Sequence, residues 1–543
     1  MMPSLILRTV AVVLAIFLLS KPKPGWSQQT NPTAVNRTPV DTIVLCPKIM
    51  QDGLKAWFQY RTDQGHRIRV VTPAETAHQI RQQIIDEFEF SKGILTSVVI
   101  VGDSGDGSRP RNELVPTWYQ ASTVNLKYGS SPEIASDNRY VDIDLDGLPD
   151  LQLGRITADN KQQLSEYLQR AIQYETQDRS GPWIRQINCV AGVGGFGPLI
   201  DGLIEQTTKQ ILTDLIPGGY QTSMTYGSWT SPYCPDPRRF SDEAIERFNE
   251  GCLFWVYIGH GHRDRLDKVR MPDKPYPILD LETVDKINCR RGSPIAIFLA
   301  CYTGACDYRK DCLVEQMVSQ KNGPIAAICG TRVTMPYAMS LMSLELVHEY
   351  FHGKSETLGE LFLKTKRQMA VGSENYPRYR QMIDGMGTSL SPNRNLLDRE
   401  KMEHVQMIHL IGDPLLRLKR PQNIEVTIPK SVVAGKSLTV MCQAPFDGKL
   451  TVELAYQRDR LKKRMKRRKE YHPDDDSLNQ YQAIYNAARD LVVAKKTVPV
   501  SAGTVELNLN APDSASGPCV VRAMLESGSE FAIGSEFVTV KRK

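Results

Sequence analysis

The sequence predicts an α/β body built on a mostly parallel sheet, followed by an all-β sandwich. Three observations carry that expectation. Between residues 41 and 330, apolar runs of strand length alternate with amphipathic stretches of helical period, the rhythm of a parallel sheet flanked by helices. Within it, FWVYIGHGHRD (254–264) and IFLACYTGACD (297–307) each start as an unbroken apolar strand and stop abruptly at small residues. After Arg420-Pro421 the helices give way to short alternating strands separated by turn residues, the pattern of an antiparallel sandwich.

In chain order, DTIVLC (41–46) is a strand, 54–60 lies in a helix, GHRIRVV (65–71) is a strand and 74–89 is helical. SVVIV (97–101) is a strand running into Gly102-Asp103; 160–177 and 199–215 are helices with a strand over 184–193 between them. From 184 onward the rhythm reads as a second run of the same architecture, ending in PIAAICG (324–330). The expected divisions are a signal peptide (1–27), a short segment (28–40), a first α/β subdomain (41–183), a second (184–420) and a sandwich with a basic helical insertion (421–543). Gly192-Val193-Gly194-Gly195 reads as a tight turn, because neither a phosphate-binding lysine nor dinucleotide spacing accompanies it. Cys442 and Cys519 fall in two strands of the sandwich and are candidates to bridge its sheets.

The two apolar strands each present a reactive side chain where they end, His260 and Cys301. Open α/β sheets bind ligands outside the carboxyl ends of their strands, so residues distant in sequence converge there. A thiolate attacks a carbonyl, and an imidazole beside it lowers the thiol pKa and protonates the leaving amine. Gly261, having no side chain, lets a backbone N–H reach the developing oxyanion together with the N–H of Cys301. Cys306, five residues beyond, is placed in the following loop as the nearest rival nucleophile. His260-Gly261-His262-Arg263-Asp264 is also H-x-H-x-D, the start of a zinc-hydrolase site, but Arg265 stands where that pattern continues with histidine.

Strand, His-Gly, spacer, strand, Ala-Cys resembles the caspase-like clan of cysteine peptidases, and within it the gingipain family. ASDNRYVDIDLDGLPDLQLGRI (135–156), DCLVEQMVSQKNGPIAAICGTR (311–332) and HLIGDPLLRL (409–418) resemble further segments of that family, so the likeness runs over residues 41 to 420. The resemblance implies a caspase-like three-layer sandwich with an immunoglobulin-like module after it. It makes His260 the general acid/base and Cys301 the nucleophile, gives His262 no role, and implies peptide-bond hydrolysis through an acyl-enzyme, with protein or peptide as substrate. Residues 28–40 are all that separates the expected cleavage point from the first strand, where gingipains carry a long pro-region, so activation is expected to differ or latency to be absent. Thr331 to Tyr337 is the expected wall of the primary specificity pocket.

A second constellation is Asp142-Ile-Asp144-Leu-Asp146-Gly147-Leu148-Pro149-Asp150. Carboxylates at alternate positions, a glycine at the turn, the Leu148 carbonyl and Asp150 match the first half of an EF-hand-type loop, and hard oxygen donors suit structural calcium. Leu153 stands where such a loop carries its bidentate glutamate, so this is a variant of it; the alternative is an exposed acidic turn.

Arg8, the apolar run Val10 to Leu19 and the small residues Gly25 and Ser27 read as an export signal, placing the mature chain outside the cell or in the cell envelope. Eleven cysteines is an odd number, which in an oxidising compartment leaves at least one thiol free. The formal charge of +6 is local: Arg458 to Glu470 holds nine basic and two acidic residues, and outside it and the leader the chain is net acidic. That block is either the face of an exposed helix or a contact for an anionic surface. No nucleic-acid-binding module is recognisable, so no nucleic-acid partner is expected. The function expected from all this is a secreted cysteine endopeptidase with no cofactor in catalysis; the alternatives are a zinc-dependent hydrolase and a non-catalytic surface or secretion-linked binding protein.

Overall fold

In the computed structural model the described residues are 37–105, 113–176, 181–195, 198–390, 394–458, 460–462, 468 and 470–543. The expected signal peptide, 1–27, lies outside them. Ten strands make one sheet: β1 (Thr42–Leu45), β2 (Ile68–Val71), β3 (Ser97–Val101), β4 (Gln152–Ile156), β5 (Gln186–Ala191), β6 (Gln221–Tyr226), β7 (Phe254–Ile258), β8 (Ile295–Leu299), β9 (Ala326–Gly330) and β10 (Ile408–Ile411). Their order is β2-β1-β3-β4-β10-β9-β8-β7-β5-β6, so the sheet runs unbroken across residue 184. β1, β3 and β9 are buried along their whole length, as unbroken aliphatic strands covered on both faces must be.

Every neighbouring pair is parallel except β9 with β10. That one antiparallel step reverses the sheet and leaves two parallel groups of opposite sense. The carboxyl ends of β5, β7, β8 and β9 therefore share one rim. β10 was not separable from its motif in the sequence, and β6, QTSMTY at the sheet edge, lacks the apolar run that marks the inner strands.

Two buried arginines stand beside the junction, in three ion pairs. Arg155, 1 % exposed, forks onto Asp137 at 2.7 and 2.8 Å and donates to the carbonyls of Gly102 and Val115. Arg61 pairs with both Asp413 (2.7 Å) and Glu175 (2.8 Å), and Trp57 donates its indole N–H to Asp413. Gly154 is required beside them, since a β-carbon there would lie 2.5 Å from the Gly412 carbonyl oxygen. The Gly-Arg and Gly-Asp-Pro segments that carry the family likeness are thus structural.

The sandwich has a six-stranded sheet containing Gly448–Tyr456, Gly517–Ser527 and Glu530–Lys541, and a three-stranded sheet of Glu425–Thr427, Ser437–Ala444 and Gly503–Asn510. Ser437–Ala444 alternates exposed and buried at every position, the signature of one face on a core. Cys442 and Cys519 do not bridge the two sheets. Both are free thiols buried in the sandwich core, and burial pushes each up to about 11. Alternation puts both side chains inside but says nothing of their separation. The helix of the insertion is Asp475–Arg489; the helical reading of 458–470 falls largely on 459, 463–467 and 469, which lie outside the described residues. Arg458 and Arg468 point into the protein, donating to main-chain carbonyls of Ile216, Pro217 and Tyr220 and of Trp229 and Ser231. They are docking residues, not part of an exposed basic face.

Burial pushes the Asp137 carboxyl up, but Arg155 outweighs it and holds it at about 2. Its folded value is below the unfolded one, so the stability it contributes is present above the ordinary carboxylate range and fades only as pH falls toward about 2. Asp137→Asn strands a buried guanidinium and is expected to cost about 3–5 kcal/mol in urea unfolding at pH 7. A loss below about 1 kcal/mol would mean that Arg155 is satisfied by its carbonyls alone.

Candidate active site

β7 and β8 are adjacent and parallel, with Ile258 in register with Leu299. His260 and Cys301 each stand two residues further on, so the register sets them side by side at the rim. Both, with Gly261, line one cavity of about 1060 Å³ between the sheet and the helix Pro336–His352. Cys301 is the one cysteine of the eleven that is not buried. Cys306, the rival, is 1 % exposed, and burial raises its pKa well above the ordinary thiol value.

The imidazole is held from behind. His260 Nε2 lies 2.5 Å from the carbonyl oxygen of Gly194, which can only accept, so the proton sits on Nε2 and Nδ1 is the basic nitrogen. Tyr257 fixes the backbone of the same residue by donating its hydroxyl to the His260 carbonyl at 2.8 Å. The chain then turns back on itself. His262 N–H donates to Arg265 O and Asp267 N–H to His260 O, a pairing that brackets Gly261 without using its N–H. A β-carbon on Gly261 would lie 2.7 Å from the Cys301 carbonyl oxygen and 2.9 Å from Thr303 Cγ2. Only glycine fits the gap.

The sulfur is held by the segment after β9. Thr334 donates its N–H to Cys301 Sγ at 3.3 Å, with its hydroxyl at 3.7 Å. Tyr302, next to the cysteine, has φ +58°, a conformation that costs a non-glycine residue about 1–3 kcal/mol and is kept only where the surroundings impose it. Here Tyr302 N–H bonds Arg332 O at 3.1 Å, its hydroxyl accepts from Ser131 N–H at 2.9 Å, and the Arg263 guanidinium lies 4.6 Å from its ring. Of the expected specificity wall, Val333, Thr334, Met335, Pro336 and Tyr337 line the cavity, while Thr331 and Arg332 are buried behind it.

The sequence assigns no role to the Gly194 carbonyl, Tyr302 or Arg263, and places Thr334 in the specificity wall but not against the sulfur. The glycine run showed a turn but not whose ring its carbonyl would hold, and the others act through contacts distant in sequence. The zinc alternative is not assembled. Neither cluster of metal-ligating side chains among the described residues contains His260 or His262, and Asp264 is exposed and paired with Arg265.

The acidic loop does not line this cavity. One ligand oxygen from each of Asp142, Asp144 and Asp146 falls within 4.8 Å of the others. Asp142 is 1 % exposed; its Oδ2 accepts from Arg139 and from Gly147 N–H, while its Oδ1 is buried without a hydrogen-bond partner among the described residues. Burial raises its pKa. Asp150 is taken by Arg367 at 3.0 Å and by Ile143 N–H, and Leu148 N–H donates to Asp146. Leu145 and Gly147 have φ +67° and +88°, the sharp turn the spacing asked for.

Comparison with known proteins fits this geometry. The model of peptidase family C25 matches residues 35–419. Gingipain R2 of Porphyromonas gingivalis is 23 % identical over 439 residues, covering 76 % of this chain and 52 % of the relative; gingipain R1 of the same species is 22 % identical over 421 residues, covering 74 % and 36 %. The chain thus spans about half the length, or less, of the curated relatives it matches. Among solved structures, that of the Arg-specific cysteine proteinase gingipain R superposes with a TM-score of 0.52 at 18 % identity, covering 93 % of this chain and 98 % of that one, which shows a shared fold. With a family model that spans most of its length and includes both strand-end residues, the chain belongs to peptidase family C25.

Proposed function

We propose that this protein is a secreted cysteine endopeptidase in which Cys301 and His260 hydrolyse peptide bonds through an acyl-enzyme. One observation carries the reading: the only cysteine not buried stands beside a histidine at the end of the neighbouring parallel strand, in the same cavity. The Cys301 sulfur attacks the scissile carbonyl carbon, forming the C–S bond as the carbonyl π electrons move to oxygen. The N–H groups of Gly261 and Cys301 receive that oxyanion. Collapse breaks the C–N bond while His260 delivers the thiol proton to the leaving amine; water then attacks the thioester, gives its proton to the imidazole and frees the sulfur. Gly194, through its carbonyl, and Thr334, through its N–H to sulfur, position the pair. The export reading rests on the leader-like residues 1–27.

We propose further that Asp142, Asp144 and Asp146 hold a structural calcium ion, with the Leu148 carbonyl as a fourth donor. Three converging carboxylate oxygens, one from a residue with a buried and unpaired Oδ1, fit a hard cation, whose charge would offset the cost of keeping them together. Asp150 shapes the loop through Arg367.

Four outcomes test these readings. An iodoacetamide-type probe on native protein is expected to label Cys301 alone. Hydrolysis of an unbiased peptide library should fall by about 10⁴-fold or more in Cys301→Ala and His260→Ala, and should withstand a zinc chelator; activity surviving Cys301→Ala would end the thiol mechanism. Gly261→Ala, which drives a methyl group against the Cys301 carbonyl and so moves the Gly261 N–H, is expected to lower kcat by about 10²–10³-fold; an unchanged kcat would mean that catalysis does not need the two loops this close. Calcium at one hundred times its Kd is expected to stabilise the wild type by about 2.7 kcal/mol and Asp144→Asn far less. Equal melting points with calcium and with EGTA would return the loop to a plain acidic turn.

A further inference from the structure

A second cavity, of about 580 Å³, opens between the α/β body and the sandwich and is lined by three arginines, Arg458, Arg489 and Arg522. They come from separate places: just past the strand Gly448–Tyr456, the end of the helix Asp475–Arg489, and the strand Gly517–Ser527. Two carboxylates share the wall and both are engaged, Asp214 by the Tyr379 hydroxyl and Asp490 by Lys462. Arg458 spends its hydrogen bonds on the main-chain carbonyls of Leu212, Ile216, Pro217 and Tyr220, which solvate the guanidinium but do not neutralise it. Arg522, 5 % exposed, shares the single carboxylate of Glu453 with Arg185 and Lys495, at 3.1, 3.5 and 3.5 Å. Its Nε–H is buried with no acceptor among the described residues, and so is that of Arg489, whose carboxylate neighbour Glu250 is 3.9 Å away. Burial, together with the Arg522 charge beside them, holds Arg185 and Arg458 down at about 10.

Positive charge in excess of its partners and withdrawn from water is costly, and an anion that joins it recovers that cost. Guanidinium groups in numbers suit a planar or tetrahedral oxyanion, which takes two N–H bonds from each fork. We infer that this cavity is a binding site for an oxyanion, either free phosphate or the carboxylate of an acidic peptide. Arg458 and Arg489 also line the cavity that holds Cys301, so the bound group stands at the far end of the same cleft.

Thermal unfolding of the full chain at fixed ionic strength tests this, with inorganic phosphate, acetylated triglutamate or chloride as the added anion. Phosphate or the peptide is expected to give a saturable rise in Tm that chloride does not, and the source is the one with the lower midpoint. In Arg489→Gln that midpoint should move up by about tenfold, as for a lost charge-assisted contact. Arg489 loses a carboxylate at 3.9 Å and a face contact with the Tyr485 ring at 5.3 Å but no short buried ion pair, so this variant is read even if Arg522→Gln does not fold. A response no larger than chloride gives, or a midpoint unmoved in Arg489→Gln, overturns the site.

Discussion

The site depends on how closely two loops can approach. β7 and β8 deliver a histidine and a cysteine to matching positions, but the backbones beyond them meet only because residue 261 has no side chain: a β-carbon would press on Cys301, Ala300 and Thr303 at once. The turn that returns the chain after Gly261 hydrogen-bonds through the residues flanking it, so the glycine N–H is not consumed in building the turn. The same residue thus closes the approach and keeps a donor in reserve beside the sulfur. The left-handed Tyr302 complements it on the cysteine side, where three contacts from distant segments hold a conformation the local chain would not choose.

Behind that rim, the reversal of the sheet at β9 and β10 decides which segments can contribute. The strands that end at the rim all belong to one parallel group; the other group meets it at the junction guarded by Arg155 and Arg61. Arg155 gathers acceptors from three places around β3 and β4, and Arg61 joins the helix after β1 to Glu175 and to Asp413 just past β10. Desolvating such groups is expensive, and ion pairs of this kind seldom add net stability over apolar packing. What they fix is register. A slip at β4 or β10 would leave a buried charge unpaired, and the energetic gap against that slip holds these two strands in place beside the reversal.

What the sequence disclosed follows the range of the physics involved. Strand-end His260 and Cys301 were legible because an unbroken apolar run and an abrupt stop are local signals. The α/β body and the change of rhythm after Pro421 were legible for the same reason. The Gly194 carbonyl, the Thr334 N–H and the support of Tyr302 were not, since each is a contact across more than thirty residues made with a backbone group or a ring that any sequence supplies. The basic stretch at 458–470 is described only in part, but its two anchors are instructive: Arg458 and Arg468 are turned inward to cap main-chain carbonyls, with the Arg468 guanidinium 3.6 Å from the Tyr481 ring. Charge alone does not report which way a long side chain is aimed.

The free thiols illustrate how packing sets one cysteine apart from the others. Cys46, Cys189 and Cys234 are each pushed up to about 12 by burial, and Cys252, Cys306 and Cys312 are raised well above the ordinary thiol value. A thiol withdrawn from water at neutral pH is neither ionised nor reachable, so these residues act as small apolar side chains. Cys301 differs in exposure, in the N–H that Thr334 donates to its sulfur, and in having an imidazole on the next strand. Ten cysteines are silenced by packing, which leaves the eleventh to be set apart by where its strand stops.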